Sequence, residues 1–327
     1  MKKRFHVFLI FILIAFPVLV LFGAVPGTAH AGMGFQSLII SETPMSLTFN
    51  SPDKKNLTVK KSPKRVVVLL TSLLDVWYEA GGIAVARCTA NANVPEKAEN
   101  LPTVGTFANP SVESILSFEP DLVISGDTAK FRAMIPILQG TGIDYAFFRY
   151  DHYYDFLSIF EVFSRITGRM DLHDAKVKEL DDNIRAIQEK CPKDGKTNVI
   201  IIFSTPNAVI TETSDTHTGV LLSMLPAKNV VEVDGEPGKT RINFSMERIV
   251  AADPDVILFN TMGDIEECRK RMEKDITTNE AWASLSAVRK NNIHFLPKEL
   301  FLYKSADKFP KALAYLAGIL YPETFKQ

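Results

Sequence analysis

Several residue groups in this chain have the types that perform chemistry, and their spacing limits what chemistry that is. Ser204, Asp215 and His217 are the types of a nucleophilic relay, which would make the chain an exported hydrolase. No Gly-x-Ser-x-Gly elbow occurs to present the serine, and three such common residues are weak evidence. His152, His173, His217 and His294 with nearby acids are the types of a zinc or manganese site. None of them forms His-x-x-x-His or His-Glu-x-x-His, so a closed site needs several distant segments to converge. Cys88, Cys191 and Cys268 contain no Cys-x-x-Cys pair, which removes a zinc ribbon and a thioredoxin-like redox site. The odd count leaves at least one thiol free, and one disulfide of undetermined pairing stays open.

The chain that must position these residues has 327 of them, 46% hydrophobic and 23% charged, a globular composition. With 37 basic residues against 38 acidic ones there is no bulk electrostatic attraction for nucleic acid. Lys2, Lys3 and Arg4 precede an apolar run from Val7 to Val25, which ends in Ala29-His30-Ala31, the small-residue pattern of signal-peptidase cleavage. The competing reading is an uncleaved anchor, since the run approaches the roughly 20 residues that span a bilayer, although Pro17 and Gly23 interrupt it. Cleavage is the expectation, with the mature, mildly acidic chain starting at Gly32. No Cys follows the apolar run where a lipid could be attached, so the expected location is periplasmic and not that of a lipoprotein.

Residues 32–58 are polar and read as a leader or an edge hairpin. From Arg65 the pattern changes to short β-branched runs alternating with amphipathic stretches: Val66 to Leu70, Leu122 to Ser125 and Tyr145 to Phe148. This is a β/α pattern with a mainly parallel sheet. Between Asp151 and Lys190 the apolar residues keep helical spacing, giving one long helix or two collinear ones, with Gly168 at the break between the two stripes. A second β/α block follows, with strands expected at 199–203, 208–210, 256–259 and 293–296.

The two blocks share a unit. Val112 to Ile124 aligns without a gap on Met246 to Leu258, so that Glu113 falls on Glu247, Pro120-Asp121 on Pro254-Asp255, and one buried run on the other. Helix, turn and strand geometry account for the Ile, the Pro and the apolar run but not for the Glu. One such Glu is an ordinary partner for a helix dipole. Two at one register place a carboxylate at an equivalent point on each half, as expected of a bilobed protein with two anchors for a pseudo-symmetric partner.

With these segments in order, the chain resembles the substrate-binding proteins of ABC importers for ferric siderophores, cobalamin and haem. The matching pieces are Pro63 to Val68, Leu101 to Gly105, Glu113 with Pro120 to Val123, Thr167-Gly168-Arg169, Ala252 to Ile257, and Trp282 to Arg289 followed by Ile293 to Pro297. The resemblance covers nearly all of the mature chain. It implies two Rossmann-like β/α lobes joined by a single long α-helix: a signal peptide at 1–31, a leader at 32–58, lobes at 59–150 and 193–327, and the helix at 151–192. It also implies docking of Glu113 and Glu247 on arginines of the permease transmembrane subunits, and a monomer that binds a small molecule, without nucleic acid and without enzymatic activity.

The ligand is expected between the lobes at the carboxyl ends of the strands. The first lobe contributes Thr71, Ser72, Phe107, Asn109, Asp127, Arg149 and Tyr150; the second contributes Asn207, His217, Arg241, Asn260 and Tyr303. Arg149, Tyr150 and Tyr303 are the strongest, since a cation beside aromatic faces holds a large anionic conjugated ligand. Core packing competes for Tyr150, and a surface ion pair with Glu232 or Glu236 competes for Arg241. His217 is either a plain helix-start residue or an imidazole offered to haem iron or cobalt. Haem-binding relatives often carry Tyr near the position of Phe107, and a phenyl ring cannot ligate iron. The expected cargo is therefore a ferric siderophore or related metal chelate, with no resident cofactor or metal; cobalamin, haem and an envelope sensor are the alternatives.

Overall fold

The computed structural model describes residues 35–325, except 91–92, 194–196, 206–207, 232–237, 244 and 303–307 and the side chains of 276–277. The signal segment, Asn207 and Tyr303 lie outside the described residues. The described chain opens with β1 (Ile39–Glu42), β2 (Ser46–Asn50) and β3 (Asn56–Lys60), an antiparallel three-stranded sheet. Period-two alternation turns Leu47, Phe49, Leu57 and Val59 inward. Glu42 accepts from Lys61 at 2.6 Å and from Arg165 at 2.7 Å. Burial pushes the Glu42 carboxyl up, but these two cations outweigh it and hold it below its ordinary value. The segment read as a leader or edge hairpin thus forms a sheet with its own buried face.

The first lobe runs β4 (Val66–Val68), α1 (Thr71–Glu79), β5 (Ala86–Thr89), β6 (Thr103–Thr106), β7 (Asn109–Pro110), α2 (Val112–Ser117), β8 (Leu122–Gly126), α3 (Ala129–Thr141) and β9 (Asp144–Phe148). Its sheet order is β7-β6-β5-β4-β8-β9, parallel except for β7. All three residues of β4 are buried, because a central parallel strand has both faces covered.

Two helices follow, α4 (Tyr153–Thr167) and α5 (Met170–Lys190). The connection is divided, which corrects the single long helix that the resemblance implies, and the Phe160 ring of α4 meets that of His173 on α5 at 5.4 Å, so the two helices are bent across the break. Gly168 ends α4 at φ +76°, a left-handed value that glycine adopts without a Cβ penalty. Helix α4 is packed on nearly every side: Phe156 stacks on Phe160 with centroids 5.3 Å apart, and Phe163 meets Trp77 edge-on at 5.2 Å. Helix α5 buries a narrower stripe, including Leu180 and Ile184, and Gln188 reaches the carbonyl of Met224 in the second lobe.

The second lobe contains β10 (Thr197–Ser204), β11 (Val209–Glu212), α6 (His217–Ser223), β12 (Ala227–Asn229), β13 (Arg241–Ile242), α7 (Met246–Ala252), β14 (Val256–Thr261), α8 (Ile265–Thr278), α9 (Glu280–Ser284), α10 (Ser286–Arg289), β15 (Ile293–Phe295), α11 (Lys298–Phe301) and α12 (Phe309–Leu320). Its sheet runs β13-β11-β10-β14-β15, with β12 also paired to β10. Strand β10 is parallel to β12 and β14 and antiparallel to β11.

The aligned units of the two halves adopt one conformation. Ser111 caps α2 and Ser245 caps α7, each accepting from the backbone N–H three residues on. Ile115 and Ile249 are buried beneath them. Glu119 and Asp253, each immediately before a Pro, take positive φ values of 45° and 36° and stop the helix. The next acid stitches the following strand to its neighbour: Asp121 accepts from the backbone N–H of Lys64 and Arg65, and Asp255 from that of Asn198. The Pro-Asp pair therefore closes the turn and also sets the start of a central strand.

The space around Gly168 is open, so a side chain there meets only backbone strain. Gly168→Ala is expected to cost about 1–2 kcal/mol of unfolding free energy, read from urea denaturation.

Candidate functional site

A parallel sheet flanked by helices leaves its loops and helix starts at the carboxyl ends of the strands, and a pocket of about 170 Å³ lies there in the second lobe. Phe203 near the end of β10, Glu212 at the end of β11, Arg241 on β13 and Asn260 on β14 form its wall, with Thr216, His217 and Thr218 from the start of α6. Phe301, Leu302 and Thr240 complete this side, and Asp151, at the turn between β9 and α4, faces it from the first lobe. Helix α6 sits close because Thr216 caps it, accepting from Gly219 N–H at 3.1 Å. A Cβ at Gly219 would stand 2.2 Å from the Thr213 carbonyl, so a side chain there would push the helix off the loop.

Glu212 is the organising charge of the wall, only 2% exposed. A carboxylate so deep must be paired. Its Oε1 accepts from Arg241 Nε at 3.1 Å and Nη2 at 2.9 Å, and its Oε2 accepts from Asn260 Nδ2 at 2.5 Å. That amide also donates to Thr218 Oγ1 at 2.8 Å. The Arg241 guanidinium lies over the Phe203 ring, 3.7 Å from its centroid. Glu212 and Arg241 are cross-strand partners, which makes the ion pair part of the β11–β13 register. Asn260 Oδ1 is buried without a hydrogen-bond partner among the described residues.

His217, Arg241 and Asn260 thus share one lining, and among the described residues the acid that pairs with Arg241 is Glu212; Glu232 and Glu236 lie outside the described residues. Glu212 was not among the sequence candidates. Its signal is an acid ending the β run Val209-Ile210-Thr211. His217 is buried and its Nε2 lies 3.2 Å from the Leu300 carbonyl, its ring edge-on to Phe309.

The first-lobe candidates lie at or beside the carboxyl ends of β4, β6, β8 and β9, outside the lining of this pocket. Thr71 and Ser72 are half-buried in the first turn of α1, Phe107 rests against Gly126, and Asn109 is exposed on β7. Asp127 is gripped by Arg132, with Nε at 2.6 Å and Nη2 at 3.0 Å, while Arg149 is exposed and stands 4.0 Å away. Tyr150 corrects the expectation of a stacking face: it is 7% exposed, and burial, with Asp75 and Asp155 nearby, holds its phenol well above the ordinary value. A ring so enclosed packs the core.

The hydrolase triad is not assembled. Ser204 is buried within β10, His217 turns to Leu300, and Asp215 accepts from Gly238 N–H. The histidines are used separately: His152 caps α4 with Asp155, His173 lies over Phe160 beside Asp174, and His294 meets Asn292. Among the described residues no group of three His, Cys, Asp or Glu side chains could hold a metal ion. Glu113 and Glu247 are exposed at the same position of α2 and α7.

The family described as Periplasmic binding protein matches residues 66–300. An ABC-transporter substrate-binding lipoprotein of Bacillus subtilis is 25% identical over 86% of this chain and 87% of its own. A high-affinity haem uptake system protein of Staphylococcus aureus is 24% identical over 73% of this chain and 81% of its own. Among solved structures, a periplasmic binding protein from Veillonella parvula superposes with a TM-score of 0.71 at 17% identity, covering 86% of this chain and 99% of that one. An ABC-transporter substrate-binding protein from Listeria monocytogenes gives 0.69 at 20% identity, covering 80% and 100%.

The Bacillus relative overturns one expectation, that the chain is periplasmic and not a lipoprotein, since a protein of this kind is itself a lipoprotein.

All three cysteines are buried and free. Burial pushes the Cys88 thiol up to about 11 and raises that of Cys191. Since the thiolate is the reactive form, Ellman's reagent at pH 8 is expected to label the native protein slowly and to count three thiols after denaturation; rapid labelling of the native chain would contradict this burial.

Proposed function

Since this chain belongs to the periplasmic binding protein family, we propose that it is the substrate-binding component of an ABC importer, capturing a ferric siderophore or related metal chelate in the crevice and delivering it to the permease. The observation that carries this reading is the pocket itself. Its lining combines aromatic faces with a few fixed polar groups held on adjacent strands and at the start of α6, as a small-molecule site requires. The protein binds rather than transforms its ligand, acts as a monomer, and needs no resident cofactor or metal.

Haem is the second reading, favoured by His217 in the pocket lining and by the haem uptake relative of S. aureus. Against it, the Nε2 of His217 is engaged by Leu300, and Phe107 stands near where haem-binding relatives often carry Tyr.

Glu113 and Glu247 are the proposed permease contacts. Two exposed carboxylates on equivalent helices match a pair of cationic partners, and charge-assisted Arg–carboxylate pairs orient a complex while staying reversible when solvated.

Titration with ferric siderophores, haem and cobalamins, followed by absorption and by Trp77 and Trp282 fluorescence, is expected to give saturable one-to-one binding of one ligand class. Absence of saturable binding across that panel would refute the chelate reading. Glu113→Ala with Glu247→Ala is expected to abolish stimulation of permease ATPase and leave ligand affinity unchanged. Loss of ligand affinity in the double variant would remove the docking assignment.

A further inference from the structure

We propose that the second-lobe wall is a receptor for a single carboxylate on the ligand, with Arg241 taking the carboxylate and Glu212 acting as the positioning residue that aims Arg241. This deepens the chelate-binding reading and rests on it for the identity of the cargo.

Both hydrogen bonds from Arg241 to Glu212 leave one edge of the guanidinium, from Nε and Nη2, and both end on Oε1. Nη1 makes no hydrogen bond to any described residue, and the side chain is 41% exposed and lines the pocket. A guanidinium carries its donors in a rigid fork, so fixing one edge on Glu212 and one face on Phe203 leaves the Nη1–Nη2 edge preset for a bidentate anion. Glu212 cannot swing away, because it is buried and its other oxygen is held by Asn260.

Asn260 supplies an independent sign. Its Oδ1 is an acceptor without a partner among the described residues, on a residue 7% exposed that lines the same pocket. A buried acceptor left so is costly, and an O–H or N–H beside the ligand's carboxylate would satisfy it. Phe203, Phe301 and Leu302 offer apolar contact to an organic skeleton. Asp151 adds a negative charge across the pocket, which favours one anionic group on the ligand over several. A clamp between β11 and β13 would explain the ion pair alone; it explains neither the available guanidinium edge nor the unmet amide oxygen.

The full-length chain, labelled with ¹⁵N at arginine, is titrated with benzoate and with its uncharged counterpart benzamide. The Arg241 Nε–H resonance, identified by its loss in Arg241→Lys, is followed. Benzoate is expected to shift it saturably and benzamide is not. Glu212→Gln is expected to weaken benzoate at least tenfold and to speed exchange of that Nε–H with water, and Glu212→Asp to recover part of both. No response to benzoate, or an equal response to benzamide, overturns the carboxylate receptor. Unchanged benzoate binding in Glu212→Gln overturns the positioning role. If Glu212→Gln does not fold, the comparison of the two probes on the unaltered protein still decides the receptor. A chelate that binds while benzoate does nothing sinks this proposal alone; a benzoate response without binding of any chelate sinks the chelate reading instead.

Discussion

A carboxylate buried at the end of a strand cannot remain unpaired, and around Glu212 that requirement shapes the second-lobe wall. It draws Arg241 across from β13, fixes the amide of Asn260 on β14, and through that amide reaches Thr218 at the start of α6. Four elements that approach the crevice from different directions are thereby tied to one side chain. The pocket has polar groups at defined positions because the cost of burying a lone charge leaves them few others.

The sheets behind this wall obey an equally simple constraint. Parallel strands buried on both faces need helices on both sides, so polar groups that contact a ligand are restricted to the strand ends. Duplication of the helix, Pro-Asp turn and strand unit gives both lobes the same frame, from Ser111 and Ser245 to Asp121 and Asp255. The crevice walls nonetheless diverge. On the first lobe, Asp127 is held by Arg132, Tyr150 is enclosed and Arg149 stays exposed. On the second, the ion pair leaves part of a guanidinium facing the pocket.

The connection between lobes is stiff for a reason of its own. Helix α4 is packed from several sides, and α5 bonds through Gln188 to the second lobe. Tyr153 and Phe156 meet Phe309 of α12 at 5.0 and 5.4 Å, so aromatic packing crosses from one lobe to the other. A junction of this kind favours small adjustments of the lobes over wide hinge closure.

Much of this was legible in the sequence, because it depends on local rules. The short β-branched runs mark strands whatever surrounds them, Gly168 marks a helix end because few other residues enter that backbone region, and the Pro-Asp repeat is written twice. The exposed Glu pair is readable for the same reason, since register within a duplicated unit needs no tertiary knowledge. The choice between ligand contact and core for Tyr150, and between Glu212 and other acids as the partner of Arg241, could not be read. Those outcomes turn on which strands lie side by side and how deeply each end is covered, and both arise only when segments distant in the chain share one environment. The sequence determined the frame through backbone preferences and hydrophobic period; the tertiary structure decided the site, because pairing and desolvation of charge depend on neighbours that only the folded chain supplies.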